Sequence, residues 1–330
     1  MNNFWQKLKK PIVVPAPMDG VTDLAFRDVL HTHGADVVYS EFVSVDGIYH
    51  ALDKVKPQME FSQMQRPYVC QIFGKEPKLF AHAAKIVEEM GADGVDINFG
   101  CPSRRVVQGG SGVKLMTDLD RVYAIVEAVC GAVKNIPVSM KIRAGINMKV
   151  EDQESGACNV EHMDAIRMMT RIKDLPFSAL IMHGRTYEQG FSGDVNTAMV
   201  KQVKEIVGDR IVLINGGITK PEIAKTLLEK SGVDGVAIGR GVMGKPWILQ
   251  QIKDYLATGT YTEKTWEEIK PIIIDHAERI FAQKGNHGML ELRKHLAWYI
   301  KGIPQASKAR AELMKIENIE QIKEILARLS

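Results

Sequence analysis

Asn98-Phe99-Gly100-Cys101-Pro102-Ser103 closes an apolar run that begins at Gly94, so a cysteine is set where a strand passes into an exposed loop. A thiol there can donate a proton or attack an electrophile. Gly100 and Pro102 define a tight turn around it, and Arg104 and Arg105 add positive potential. No histidine or aspartate follows at a spacing that suggests a nucleophilic triad, so proton donation stands beside acylation. Cys130, on a helical segment, and Cys70, inside another apolar run, read as buried structural thiols.

Other apolar runs end in polar groups too: Gln71, Asn98, Lys141, Arg143, His183 and Arg185 all fall at strand tips. A lysine ending a buried strand needs an anion, because an unpaired ammonium is costly to desolvate. Asn215-Gly216-Gly217 and Gly239-Arg240-Gly241 end two further runs. Their glycines let backbone N–H groups approach an anion, and the following helix adds its dipole, so together they read as a phosphate site. An electron-rich planar cofactor with a phosphate tail would place its anionic edge on Lys141 and use Gln71 for amide-type pairing.

Eight β-branched apolar runs, over 12–18, 37–42, 68–73, 94–99, 138–143, 179–184, 211–216 and 235–240, deliver these residues. Helical spacing marks 77–90, 118–128, 160–172, 197–207 and 220–229 between them. Strict alternation requires parallel strands with right-handed crossovers, and eight strands within ~250 residues predict a closed (β/α)₈ TIM barrel, an open doubly wound sheet being the alternative. After Gly259 the pattern turns all-helical, over 265–284, 290–301, 305–315 and 319–329. The expected division is therefore a barrel catalytic domain over 1–258 and a small all-α bundle over 259–330.

Of the 330 residues 45% are hydrophobic and 25% charged, enough for one large core and a smaller one. No apolar stretch reaches the roughly 20 residues that span a bilayer, and residues 1–10 lack a cleavable leader pattern, so a soluble, cytoplasmic protein without membrane contact is expected. Four cysteines without a C-x-x-C pair argue against a zinc site or a disulfide framework, leaving free thiols and no metal. A net charge of +3 requires any nucleic acid to be held by a local basic patch.

At these motifs the chain resembles the tRNA-dihydrouridine synthases, over about residues 11–299. The resemblance is carried by Ala16-Pro17-Met18-Asp19-Gly20-Val21-Thr22-Asp23, Gln71-Ile72-Phe73-Gly74, the Cys101 motif, Lys141-Ile142-Arg143, His183-Gly184-Arg185-Thr186 and Asn215-Gly216-Gly217. The segment from Leu292 to Tyr299 is similar to one typical of the bacterial B-type branch. The resemblance implies an FMN enzyme that uses NADPH to reduce the 5,6 double bond of tRNA uridines, a D-loop uridine being expected. Cys101 would protonate carbon-5 while reduced flavin gives hydride to carbon-6. Ala16, Pro17, Met18, Gln71, Lys141 and His183 match flavin-contacting positions, and Asn215, Gly216, Gly217, Gly239 and Arg240 the phosphate end. Asn98, Arg143 and Arg185 match positions near flavin or uracil. The helical bundle resembles the family's RNA-docking domain, with Arg293, Lys294, His295 and Lys301 as candidate contacts and no obligate protein partner implied.

The chain departs from the family pattern at Gly217, where many members have aspartate, at Ala297, where glycine is frequent, and at Lys114, where a small residue is usual. Two other functions fit parts of the sequence: a flavin barrel acting on a free pyrimidine or other small molecule, and a non-catalytic RNA-binding scaffold.

Overall fold

The protein is described here by a computed structural model covering residues 3–151, 158–304 and 306–329. Its strands are β1 (Ile12–Pro15), β2 (Val38–Tyr39), β3 (Val43–Ser44), β4 (Tyr68–Phe73), β5 (Gly94–Phe99), β6 (Val138–Glu151), β7 (Cys158–Asp164), β8 (Ala179–Thr186), β9 (Ile211–Asn215) and β10 (Gly235–Ile238). The sheet order β1-β10-β9-β8-β6-β5-β4-β2 is parallel throughout. Asp36 brings the ends of that order together: its backbone N–H donates to the Val13 carbonyl (3.0 Å), and its carboxylate accepts from the Val13 N–H (2.7 Å). The result is a nearly closed eight-stranded barrel wrapped by helices.

Side-chain alternation along the strands separates two cores. Val95, Ile97 and Phe99 of β5 pack outward with the surrounding helices, which sends Asp96 and Asn98 into the barrel. The barrel interior is apolar at its lower end, where Ile12, Val37, Val69, Ile211 and Leu213 meet Trp5, itself fully buried. Trp5 belongs to a short 3₁₀ helix (Phe4–Lys7) ahead of β1, so it stoppers the end away from the strand tips. A dry floor beneath and polar tips above set the depth of the site.

The crossover helix predicted over 160–172 is corrected. β6 runs beyond the barrel and folds back as an antiparallel arm in which Gly145 to Glu151 pair with Asp164 to Cys158, and only Ala165–Ile172 is helical, capped by Asp164 accepting from Arg167 N–H. Pairing with a distant strand wins here over helical spacing. The Cys158 side chain lies outside what is described, while Cys70, Cys101 and Cys130 are free thiols. The helices predicted over 265–284 and 290–301 form one element, Trp266–Tyr299, broken at Gly285, whose φ of 55° suits glycine. Ala306–Leu313 and Ile319–Ala327 follow, with Gln305 outside the described residues. Among the described residues no helix is long and apolar enough to cross a membrane.

The long helix docks on the barrel helix Leu24–Thr32 through rings. Phe26 meets His276 (5.2 Å between centroids) and His295 (4.7 Å), and His295 also meets Trp298 (4.9 Å). His295 is only 1% exposed, so the expectation that it contacts RNA is corrected: it is a packing residue on the inner face of its helix. Arg293, half-buried, donates from Nη2 to the Ile316 carbonyl (2.7 Å) and joins two parts of the helical region, so its guanidinium is committed in part to the fold. Lys294 extends along the barrel's first loop, its Nζ 3.9 Å from where a Cβ on Gly20 would sit.

Burial lowers His276 from 6.5 to about 4 and puts His295 well below 6.5. Both are neutral in the fold, so the unfolded chain takes up their protons first as pH falls below 6.5, and the stability they confer is present above that pH and lost below it. A single such histidine forfeits about 2 kcal/mol between pH 7 and pH 5. The difference in unfolding free energy between wild type and His295→Leu should therefore shift by about that amount in the variant's favour over this range. Urea titrations at the two pH values check it, and a pH-independent difference would contradict it.

Candidate active site

The upper ends of the barrel strands enclose a cavity of about 910 Å³. Its wall includes Ala16, Pro17 and Met18 after β1, Asn98 and Cys101 after β5, and Lys141 and Arg143 from β6. His183 and Arg185 of β8, Asn215, Gly216 and Gly217 after β9, and Gly239 and Arg240 after β10 complete it. The parallel register brings these tips level: Asn98 pairs with Lys141, Arg143 with His183, and His183 with Asn215. Of the residues singled out in the sequence, Gln71, Arg293, Lys294 and His295 are not on this wall.

Gln71 is fully buried one layer below. Its Nε2 donates to Asp96 Oδ2 (2.7 Å), and its Oε1 accepts from Asn98 Nδ2 (2.9 Å). Asn98 Oδ1 accepts from the backbone N–H groups of Gly100 (3.0 Å) and Cys101 (2.8 Å), so the side chain below the turn grips it. Gly100 is required there, because a Cβ would lie 3.1 Å from the Ile142 carbonyl carbon.

The wall carries five cations, Lys141, Arg143, Arg185, Arg240 and Lys301, against the single carboxylate of Asp19. Burial, then the charge of Arg143, lowers Lys141 to about 8. Arg143, brought down to about 10 chiefly by burial, ties the loop after β5 to the segment that follows β8. Its Nε donates to the Gly100 carbonyl (3.1 Å), and Nη1 to those of Thr186 (3.0 Å) and Gly190 (2.9 Å). Arg185 Nε donates to the Gly193 carbonyl (2.8 Å). His183 falls to about 2 through burial and the surrounding cations and is a neutral imidazole. Its Nε2 is buried with no hydrogen-bond partner, free for a group that enters the cavity.

Gly216 and Gly217 adopt φ values of 130° and 69°. A Cβ on Gly216 would fall 2.8 Å from the His183 ring, and one on Gly217 3.1 Å from Arg185 Nη2. The absence of side chains keeps open a cradle between His183, Arg185 and Arg240. Cys101 is half-buried rather than exposed, and burial raises its thiol above 9.0, with the Ser103 backbone N–H and the charges of Lys141 and Arg143 only partly offsetting that. A protonated thiol beside a cationic cavity suits a planar, anion-bearing ligand and proton donation to it.

Among the wall residues not singled out in the sequence are Phe191 and Trp298. Phe191 is 54% exposed at the mouth, with the Arg240 guanidinium 4.2 Å and that of Arg143 5.5 Å from its ring centre. Trp298 and Lys301 reach the wall only because the long helix docks on the barrel, which no local pattern reveals.

Comparison with known proteins identifies the family. The dihydrouridine synthase (Dus) family model matches residues 14–329. The chain is 37% identical over 303 residues to a probable tRNA-dihydrouridine synthase of Rickettsia bellii, spanning 90% of this chain and 88% of that one. It is 34% identical over 323 residues to tRNA-dihydrouridine synthase B of Vibrio vulnificus, spanning 95% and 96%. Among solved structures, that of TcOYE with pHBA superposes with a TM-score of 0.54 at 12% identity, over 82% of this chain and 93% of that one. Histamine dehydrogenase from Rhizobium sp. 4-9 gives 0.52 at 13%, over 81% and 48%; at such identities the likeness is one of fold. With a family match across nearly its whole length and relatives above 30% identity over nine-tenths of it, the chain belongs to the dihydrouridine synthase family.

Proposed function

We propose that this chain is a cytoplasmic tRNA-dihydrouridine synthase of the B type that binds FMN without a covalent link, draws electrons from NADPH and reduces a D-loop uridine. The observation that carries the proposal is the half-buried, protonated Cys101 thiol beside a cavity whose cations outnumber its carboxylates. The residues suit FMN on three counts: Lys141 has no carboxylate within ion-pair distance among the described residues, His183 Nε2 is buried and unpartnered, and a side-chain-free cradle lies beside Arg185 and Arg240. Lys141 and His183 would meet the ring system, with Ala16, Pro17 and Met18 beside it. Asn215, Gly216, Gly217, Gly239 and Arg240 would hold the phosphate. When bound, FMN reduced by NADPH supplies hydride to carbon-6 of uracil.

As the 5,6 π bond opens, negative charge develops on the uracil, and the Cys101 S–H bond breaks to form the new C5–H bond. The charge left on sulfur is met by Lys141 and Arg143, the cations that already act on this thiol. Asn98 keeps the turn in place, and Arg143 fastens the loops that close over it. Uridine must leave its stack to reach such a depth.

Residues 259–330 would dock the tRNA, with Lys294 and Lys301 the contacts retained from the sequence expectation. The barrel rim contributes more. Arg104 and Arg105 directly follow the wall residue Ser103; Lys75 lies against the Gly110 turn, its Cδ 3.7 Å from a Cβ placed there. Lys114 follows Val113, whose N–H donates to the Cys101 carbonyl (3.2 Å). All four are exposed, and among the described residues none has an ion-pair partner. A phosphodiester backbone running past the mouth would meet them.

In a single-turnover assay with pre-reduced enzyme and unmodified tRNA, Cys101→Ala should retain flavin and NADPH-dependent flavin reduction but form dihydrouridine about 10²–10⁴-fold more slowly. Wild-type rates in the variant would remove Cys101 from the chemistry. Replacing both Arg104 and Arg105 by alanine should lower the slope of log affinity for tRNA against log salt by about 1.4–1.8, two phosphate contacts' worth. An unchanged slope would place the RNA elsewhere.

A further inference from the structure

Beneath Cys101 lies a buried chain of polar groups, Asp96–Gln71–Asn98, that the reaction does not itself use. Asp96 sits fully buried inside the barrel, its Oδ1 accepting from Ser139 Oγ (2.6 Å) and its Oδ2 from Gln71 Nε2 (2.7 Å). We infer that Asp96 is a positioning residue that fixes the orientation of two successive side-chain amides and, through them, the backbone turn that presents Cys101.

Both ends of the chain allow one polarity only. A carboxylate can only accept, so Gln71 must turn its NH₂ toward Asp96 and its carbonyl toward Asn98. Backbone N–H groups can only donate, so Asn98 must turn its carbonyl toward Gly100 and Cys101 and its NH₂ toward Gln71. The two amides meet donor to acceptor at 2.9 Å, which agrees with both demands. Without an obligate acceptor at position 96, Gln71 could rotate by half a turn, offer its NH₂ to Asn98 and turn Asn98 in the same way. Asn98 would then present donors to the two N–H groups it now accepts from. A buried polar chain of this kind holds one arrangement when every member is satisfied and loses it when one end is ambiguous. Burial raises Asp96 to about 6, although the hydrogen bonds from Gln71 and Ser139 and the charge of Lys141 all favour its ionised form, so at neutral pH it is chiefly a carboxylate.

The link to catalysis rests on the role proposed for Cys101, whereas the hydrogen-bond polarity can be tested without it. Asp96→Asn nearly keeps the size of the side chain but lets it donate as well as accept. In the purified protein, hydrogen–deuterium exchange resolved at Gly100 and Cys101 should accelerate about tenfold, the equivalent of one lost hydrogen bond. The Ile97 and Phe99 amides of β5 should stay at wild-type rates. Combining Asp96→Asn with Gln71→Glu should restore slow exchange. The carboxylate is then at position 71, where it accepts both from the amide at position 96 and from Asn98.

In the proposed reaction, dihydrouridine formation should fall and recover in parallel, with flavin reduction by NADPH unaffected in Asp96→Asn. Unchanged exchange in Asp96→Asn overturns the inference. So does a double variant no better protected than the single one, because a carboxylate that merely supports the fold gains nothing from the exchange of partners. Should Asp96→Asn fail to fold, Gln71→Leu breaks the same chain at its middle link. It should loosen the same two amides, and wild-type protection there would equally overturn the inference. A wild-type protein inactive on tRNA would refute the proposed function while leaving the exchange results to decide this inference separately.

Discussion

Positive charge gathered on the wall of a cavity that presents fewer carboxylates than cations is the constraint on which this site depends. Five cations face the cavity opposite Asp19 alone, and burial costs them enough to bring Lys141 to about 8 and Arg143 to about 10. Such an arrangement is costly until an anion fills it. Its consequences spread through neighbouring groups. The same cations hold His183 neutral, which leaves Nε2 able to accept or donate according to tautomer. They also make the wall a poor place for further positive charge and a good one for phosphate and for electron-rich rings.

Cys101 stands at the edge of that field, under opposing influences. The Ser103 backbone N–H and the charges of Lys141 and Arg143 favour the thiolate; loss of water, with Asp19, favours the thiol, and that effect is larger. A nucleophilic cysteine needs the opposite outcome, a thiol acidified by its surroundings. Of the two chemistries that the sequence left side by side, acylation and proton donation, the proposed function takes donation, which a thiol raised by burial suits better. Once the proton leaves, the same cations stabilise what remains, so they oppose the resting thiol slightly and support its product.

Much of this was legible in the chain. Period-two alternation in Gly94-Val95-Asp96-Ile97-Asn98-Phe99 puts apolar residues on the helix side and polar ones inside, and strand tips in a parallel barrel converge by geometry. That is why Asn98, Lys141, Arg143, His183, Asn215 and Arg240 could be brought together from spacing alone. What stayed hidden depends on contacts between distant segments. The arm formed by β6 and β7 replaces a segment whose apolar residues are equally compatible with a helix, and only its partner strand settles the matter. His295 and Arg293 lie in a basic stretch that reads as an RNA-facing surface, yet docking on Phe26 and on the Ile316 carbonyl turns them inward. Gln71 was recognised as polar and strand-terminal, but its burial beneath Asn98 follows from the register between β4 and β5.

In the proposed reaction, burial keeps Cys101 a thiol at neutral pH, ready to give its proton. The rate of iodoacetamide alkylation at Cys101 as a function of pH, resolved from Cys70, Cys130 and Cys158 by peptide mass spectrometry, tests this directly. The expected apparent pKa lies above the ordinary 9.0, with alkylation slow at neutral pH and rising only in the alkaline range. A thiol that titrates below about 7.5, in the range of activated cysteines, would contradict it.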